Sequence, residues 1–218
     1  MKEENGLASQ ETPNAEDTED QHREKMKALQ MRQRQARRQK TVSRGILLVH
    51  TGDGKGKSSS AFGVAIRAAG HGQKVGIVQF IKGTWKTGEQ AALARFPEIE
   101  HVVSGDGFTW DTQDRTQDIA SAERGWGEAQ RMIEAARVDS KAYQVIILDE
   151  LNIALRYDYL RIEDVVEVLK NKPAELSIVV TGRDAKAELI EIADTVSEMR
   201  CVKHAYEAGV RARRGVEF

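Results

Sequence analysis

The chain has 218 residues, a formal net charge of −1 and 40% hydrophobic residues, which suits one domain with a packed core plus an appendage. Its single cysteine, Cys201, excludes an internal disulfide framework, and neither it nor the five scattered histidines has metal-site spacing. No apolar run approaches membrane-spanning length and the first residues are polar and acidic; no signal peptide or anchor is visible, and the cytoplasm is the expected compartment.

The near-neutral total hides two oppositely charged blocks. Residues 1–20 carry seven acids and one base. With Pro13, Asn14 and few apolar residues, they are expected to form a disordered acidic tail. Residues 21–44 carry nine Lys or Arg against one acid, Glu24. Gln, Arg, Lys, Met and Ala favour helix, so a basic N-terminal helical arm is predicted there. Such an arm suits closure over an anionic ligand, a nucleic-acid contact or a merely solvated tail. It lacks the aromatic residues that a single-strand binder uses for stacking.

From residue 45 strands and helices alternate. Ile46 to Val49 reads as a buried strand, Thr51 to Ser58 as a glycine-rich loop, and Ser59 to Gly70 as a helix closed by glycine. Lys74 to Ile81 is an apolar strand, Glu89 to Phe96 an alanine-rich helix, and Ile99 to Val103 a short strand. Ala122, Trp126, Ala129, Ile133 and Ala136 recur at helical spacing. Val145 to Leu148 is a short continuous apolar run, as a parallel strand covered on both faces requires. Ile162, Val165, Val166 and Leu169 mark an amphipathic helix. Leu176 to Val180 is a strand, Ala185 to Ala193 a helix, and Thr195 to Ser197 the start of a last strand. The alternation predicts an α/β fold, a three-layer domain over residues 45–218 with a mostly parallel sheet, and the glycine-rich loop between its first strand and helix makes it P-loop NTPase-like (RecA-like).

Ligands of such sheets bind beyond the carboxyl ends of the strands. On that rim fall Asp53 to Ser58, Gln79 and Lys82, Asp149 and Glu150, Thr181 and Arg183. Strand, glycine-rich loop and helix in succession make Thr51-Gly52-Asp53-Gly54-Lys55-Gly56-Lys57-Ser58 a phosphate-binding loop. Glycines let several backbone N–H groups converge on one anion, and the helix end adds positive potential. Lys57 supplies a charge for the outer phosphates, Lys55 adds a second, and the Ser58 hydroxyl suits Mg²⁺. Thr51 stands where the usual pattern has its first glycine.

Asp149-Glu150 end a buried strand, a common place for a Mg²⁺-holding acid. Glu150 alternatively prepares a water for hydrolysis. Asn171-Lys172-Pro173-Ala174 resembles a guanine-reading element, but Ala174 replaces its aspartate and the run follows a helix, so it is set aside. Phe108 and Trp110, two apart among Gly105, Gly107 and Asp106, suit either an apolar wall for a large ligand or a cover for the core edge.

These motifs closely resemble the ATP:corrinoid adenosyltransferases of the phosphate-loop type. The resemblance runs through Thr51 to Ser58, Gly70-His71-Gly72, Val78 to Trp85, Gly107 to Trp110, Leu148 to Leu151, Tyr157 to Leu160, Thr181-Gly182-Arg183 and Ala193 to Glu198. Asp53 and Ser58 stand where many members have Asn and Thr. The resemblance implies transfer of the 5′-deoxyadenosyl group of ATP to the Co(I) of a corrinoid (cobalamin, cobinamide or cobyrinic acid a,c-diamide), with release of triphosphate. It implies Mg²⁺, or Mn²⁺ in its place, held by Ser58 and Glu150. It assigns Lys57, Phe108, Trp110 and Glu150 to catalysis, the aromatic pair displacing the axial ligand of Co(II) so that reduction becomes easier. Nucleotide contacts fall on Thr51, Gly52, Asp53, Gly54, Lys55, Gly56, Lys57, Ser58, Arg67, Gln79 and Arg183, with ATP reversed across the loop relative to ordinary ATPases. A homodimer, a reduced flavodoxin-like electron donor, and no nucleic-acid or membrane partner are implied as well. The residues without the resemblance support an ATP-binding α/β protein, which leaves a nucleic-acid ATPase and a non-catalytic nucleotide binder as competing classes.

Overall fold

A computed structural model describes residues 19–80, 87–104 and 115–217. The chain divides into two compact units between Ser43 and Arg44. In the first unit, α1 spans Glu19–Arg38, with Glu19 and Asp20 in its first turn and Arg37 and Arg38 in its last. These charges complement the helix dipole at both ends.

The second unit alternates β1 (Leu47–Thr51), α2 (Lys57–Gly70), β2 (Val75–Gln79), α3 (Gly88–Leu93), β3 (Ile99–Val103), α4 (Arg115–Val138), β4 (Val145–Asp149), α5 (Leu151–Arg156), α6 (Ile162–Lys170), β5 (Ser177–Thr181), α7 (Ala187–Ile192) and β6 (Thr195–Glu198). The strands form one sheet in the order β3-β2-β4-β5-β1-β6, and every pairing is parallel. The expected α/β architecture with a parallel sheet is what forms. Alternating strand residues feed two apolar layers. Leu47, Val49, Val78, Ile146, Leu148, Ile178 and Val180 pack with α4, α5 and α6. Ile77, Val145, Ile147 and Val179 pack with Ala61, Phe62, Ala65 and Ala68 of α2 on the opposite side. A period of two with both faces covered is why these strands read as unbroken apolar runs.

Two details depart from the expected boundaries. Helix α3 ends at Leu93, and Phe96 closes a turn by donating to the Leu93 carbonyl at 3.0 Å before Pro97. A short helix, α5, begins directly after β4 where none was anticipated.

The entry to β1 is fastened by charge. Asp194 accepts the Leu47 N–H at 2.8 Å and takes both terminal nitrogens of Arg44. The Arg44 hydrogen bonds and the Leu47 N–H hold its carboxyl down at about 2. Lys172, from the rejected guanine-reading run, donates to the carbonyls of Gly45 at 3.0 Å and Leu176 at 2.8 Å. It links the same corner and has a purely structural partner set.

Candidate active site

Strand β1 delivers the phosphate loop to the carboxyl rim of the sheet. Gly52 (φ 91°) and Gly56 (φ 107°) hold left-handed conformations that side chains resist, and Gly56 caps α2 without any side-chain hydrogen bond. The first-turn N–H groups of α2 are therefore left without a side-chain cap, the arrangement that suits an anion. Lys57 opens the helix. It is buried, and its ammonium donates to the carbonyls of Gly52 at 2.7 Å and Gly54 at 2.6 Å. Burial holds it below the ordinary lysine value; Glu150 opposes that shift, Arg183 adds to it, and Asp53 and Asp184 oppose it. Loop, acidic strand end and the β5–α7 connection thus bring five charged side chains within electrostatic reach of one another.

Thr51 sits where a first glycine was expected. It is buried, and its hydroxyl accepts the N–H of Ala185 at 3.1 Å, while the His50 carbonyl accepts that of Gly182 at 3.2 Å. These bonds dock the Arg183 loop onto the phosphate loop, a task that glycine cannot perform. The His50 ring lies under the loop with Nδ1 2.8 Å from the Ser60 hydroxyl, which donates to the Lys57 carbonyl at 2.8 Å. Burial lowers the pKa of this histidine.

At the end of β4, Asp149 is completely buried. Thr181 donates to it at 2.7 Å from β5, and the Gln79 amide nitrogen donates at 2.7 Å from β2. The other end of that amide lies 2.8 Å from His101 Nε2. Gln79 therefore bonds inside the protein through both ends of its amide, and it orients Asp149. At Glu150 the chain leaves the strand through a left-handed turn (φ 63°), its N–H donating to Thr181 Oγ1 at 3.0 Å. This turn separates the two carboxylates: Asp149 is locked in the interior and Glu150 stays half-buried. Arg156 pairs with Asp184 at 2.7 Å, tying α5 to the Arg183 loop.

Ser58 and Glu150 are an oxygen-only set, one hydroxyl and one carboxylate. This fits Mg²⁺, which takes few protein ligands and completes its shell with phosphate oxygens and water. Among the described residues no group of three His, Cys, Asp or Glu side chains forms a fuller metal cage. Arg67 lies in the last turn of α2, roughly 15 Å along the helix from its start, and is not brought to the loop within this chain. Phe108, Trp110 and Lys82 lie outside the described residues. Three contributors were not anticipated: the paired role of Thr181, the Asp184 carboxylate, and the segment after β6. Met199 of that segment accepts the Gly54 N–H at 2.6 Å and donates to the Thr51 carbonyl at 2.8 Å. Thr181 alone was signalled, by its place at the end of an apolar run.

A buried loop lysine at the carboxyl end of a parallel sheet, with Glu150 after the next strand but one within its electrostatic reach, defines a phosphate-loop enzyme of the α/β class. The family model described as ATP:corrinoid adenosyltransferase BtuR/CobO/CobP matches residues 43–218, and the chain belongs to that family. It is 50% identical over 198 residues to a corrinoid adenosyltransferase of Pseudomonas aeruginosa, covering 90% of this chain and 95% of the relative. It is 47% identical over 175 residues to the corrinoid adenosyltransferase of Escherichia coli K12, covering 80% and 86%. Over 175 residues it is 45% identical to the corrinoid adenosyltransferase CobA of Salmonella typhimurium, again covering 80% and 86%. The reaction is therefore transfer of an adenosyl group from ATP to a corrinoid. Among the described residues no helix is long and apolar enough to cross a membrane.

Proposed function

We propose that the loop from Thr51 to Ser58 holds the triphosphate of ATP as a leaving group and turns the C5′ carbon toward a Co(I) nucleophile. The cobalt electron pair forms the Co–C bond, cobalt ends as Co(III), and the C5′–O bond breaks with its electrons leaving on triphosphate. The observation that carries this reading is Lys57, buried and already aimed into the loop by the Gly52 and Gly54 carbonyls. A charge fixed in that place needs little reorganisation as the leaving group gains negative charge. Lys55 and Arg183 add positive charge from the open side. Mg²⁺, held by Ser58 and Glu150, supplies further neutralisation when bound. Thr181, Gln79 and Asp149 keep Glu150 at its post. Asp53 puts one negative charge beside the phosphates and lowers nucleotide affinity modestly.

In this reading Phe108 and Trp110 form the apolar wall that removes the axial ligand of Co(II) and excludes water from the reduced metal. The family relationship supports a cytoplasmic homodimer that draws electrons from a reduced flavodoxin-like protein, with the basic arm of α1 as part of the closing apparatus. The test is an anaerobic product assay with ATP, Mg²⁺ and a panel of pre-reduced corrinoids: cobalamin, cobinamide and cobyrinic acid a,c-diamide. One triphosphate per Co–C bond supports the reading. Formation of ADP and phosphate in the absence of corrinoid contradicts it.

A further inference from the structure

After β6 the chain returns to the phosphate loop twice. At the first contact Met199 bonds to Gly54 and Thr51, and a Cβ on Gly54 would lie 2.8 Å from the carbonyl carbon and oxygen of Arg200. At the second, the Glu217 carboxylate pairs with the Lys55 ammonium. Between them the chain makes one short 3-10 turn, Ala205–Ala208, and every residue from Ala205 to Glu217 is exposed. So little apolar burial holds this segment that its release costs little. Its end nevertheless sits on a lysine of the loop that grips triphosphate.

A carboxylate on that ammonium offers the same chemistry as a phosphate oxygen. Being part of the chain, it acts at a high local concentration. The reaction makes such a competitor useful. Freed triphosphate keeps every phosphate oxygen of ATP and gains the charge of the broken C5′–O bond, so the loop binds this product at least as well as the substrate's polyphosphate. We propose that Glu217 competes with triphosphate for Lys55, reclaims the lysine after transfer and speeds product release. The proposal rests on the reading of Lys55 as a triphosphate contact.

The test titrates the full chain with inorganic triphosphate and Mg²⁺, by calorimetry and as inhibition of transfer. Glu217→Gln is expected to bind triphosphate about two- to five-fold more tightly, the range for an exposed ion pair. Its steady-state turnover falls while the first turnover keeps its rate, and Glu217→Asp restores wild-type behaviour. Lys55→Ala is expected to bind triphosphate more weakly, and adding Glu217→Gln to it changes nothing further. If Lys55→Ala weakens triphosphate but Glu217→Gln leaves it equal or weaker, the competition is wrong and the Lys55 contact stands. If Lys55→Ala binds triphosphate as the wild type does, the contact itself is wrong and the competition goes with it.

Discussion

Thr181 donates its hydroxyl to Asp149 at 2.7 Å, across the pairing of β5 with β4. The same oxygen accepts the Glu150 N–H. One side chain therefore satisfies a buried carboxylate and fixes the turn that carries the neighbouring carboxylate. Because β5 also lies between β1 and β4, Thr181 is the mechanical link between the phosphate loop and the acidic strand end.

Replacing Thr181 by Val keeps the shape and removes both bonds. A buried carboxylate that loses a donor costs about 1.5–3 kcal/mol, so denaturant unfolding should show a loss of that order. Transfer should fall by more than tenfold as Glu150 loses its anchor. Thr181→Ser should retain most of both.

Gln79→Leu should act through Asp149 rather than through nucleotide affinity. It strips a donor from a fully buried acid and leaves His101 Nε2 without its Gln79 partner, for about 1–3 kcal/mol of stability. Equilibrium ATP binding should change much less than turnover. A collapse of ATP affinity with unaltered stability would mean that Gln79 touches the nucleotide.

Lys57→Ala should reduce kcat/KM for ATP by about 100-fold or more, the scale of a lost charge-stabilising group. The fold should survive, with a stability change below about 2 kcal/mol, because its partners are two loop carbonyls. Circular dichroism melting alongside single-turnover kinetics checks both halves.

The Arg44–Asp194 pair gives a pH dependence of known sign. The folded carboxyl sits at about 2, below the ordinary 3.8, so its contribution is present above pH 4 and is lost as pH falls toward 2. Asp194→Asn should be less stable than the wild type at neutral pH and should show a flatter stability profile between pH 4 and 2. Acid titration of the unfolding midpoint measures this directly.

Trp110→Ala should slow transfer that starts from Co(II) far more than transfer from pre-reduced Co(I). Equal loss from both starting states would remove the ligand-displacing role from this side chain. Stopped-flow spectra of the corrinoid distinguish the two.

Much of this is legible in the sequence itself. The strand, loop and helix around Lys57 and the acidic end of β4 each rest on local pattern: an apolar run, glycines, then a helical period. Residues whose roles depend on non-local pairing were not legible in the same way. Thr51 looks like a flaw in the loop until the Ala185 N–H is found on its hydroxyl. Gln79 reads as a rim residue, and its bonds to Asp149 and His101 have no sequence signal, because only the sheet order brings those strands alongside. Helix α5 has no sequence signal because its start depends on a left-handed Glu150, a conformation that no residue type announces. The return of Met199 and Glu217 to the loop has no periodic signal at all.

The central claim is that ATP is opened at carbon rather than at phosphorus, and ATP carrying oxygen-18 at the 5′ bridging position tests it most directly. With Mg²⁺ and a Co(I) corrinoid under anaerobic conditions, the label should leave entirely in triphosphate while the corrinoid gains a label-free adenosyl group. Label retained on the nucleoside, with ADP and phosphate as products, would contradict the account.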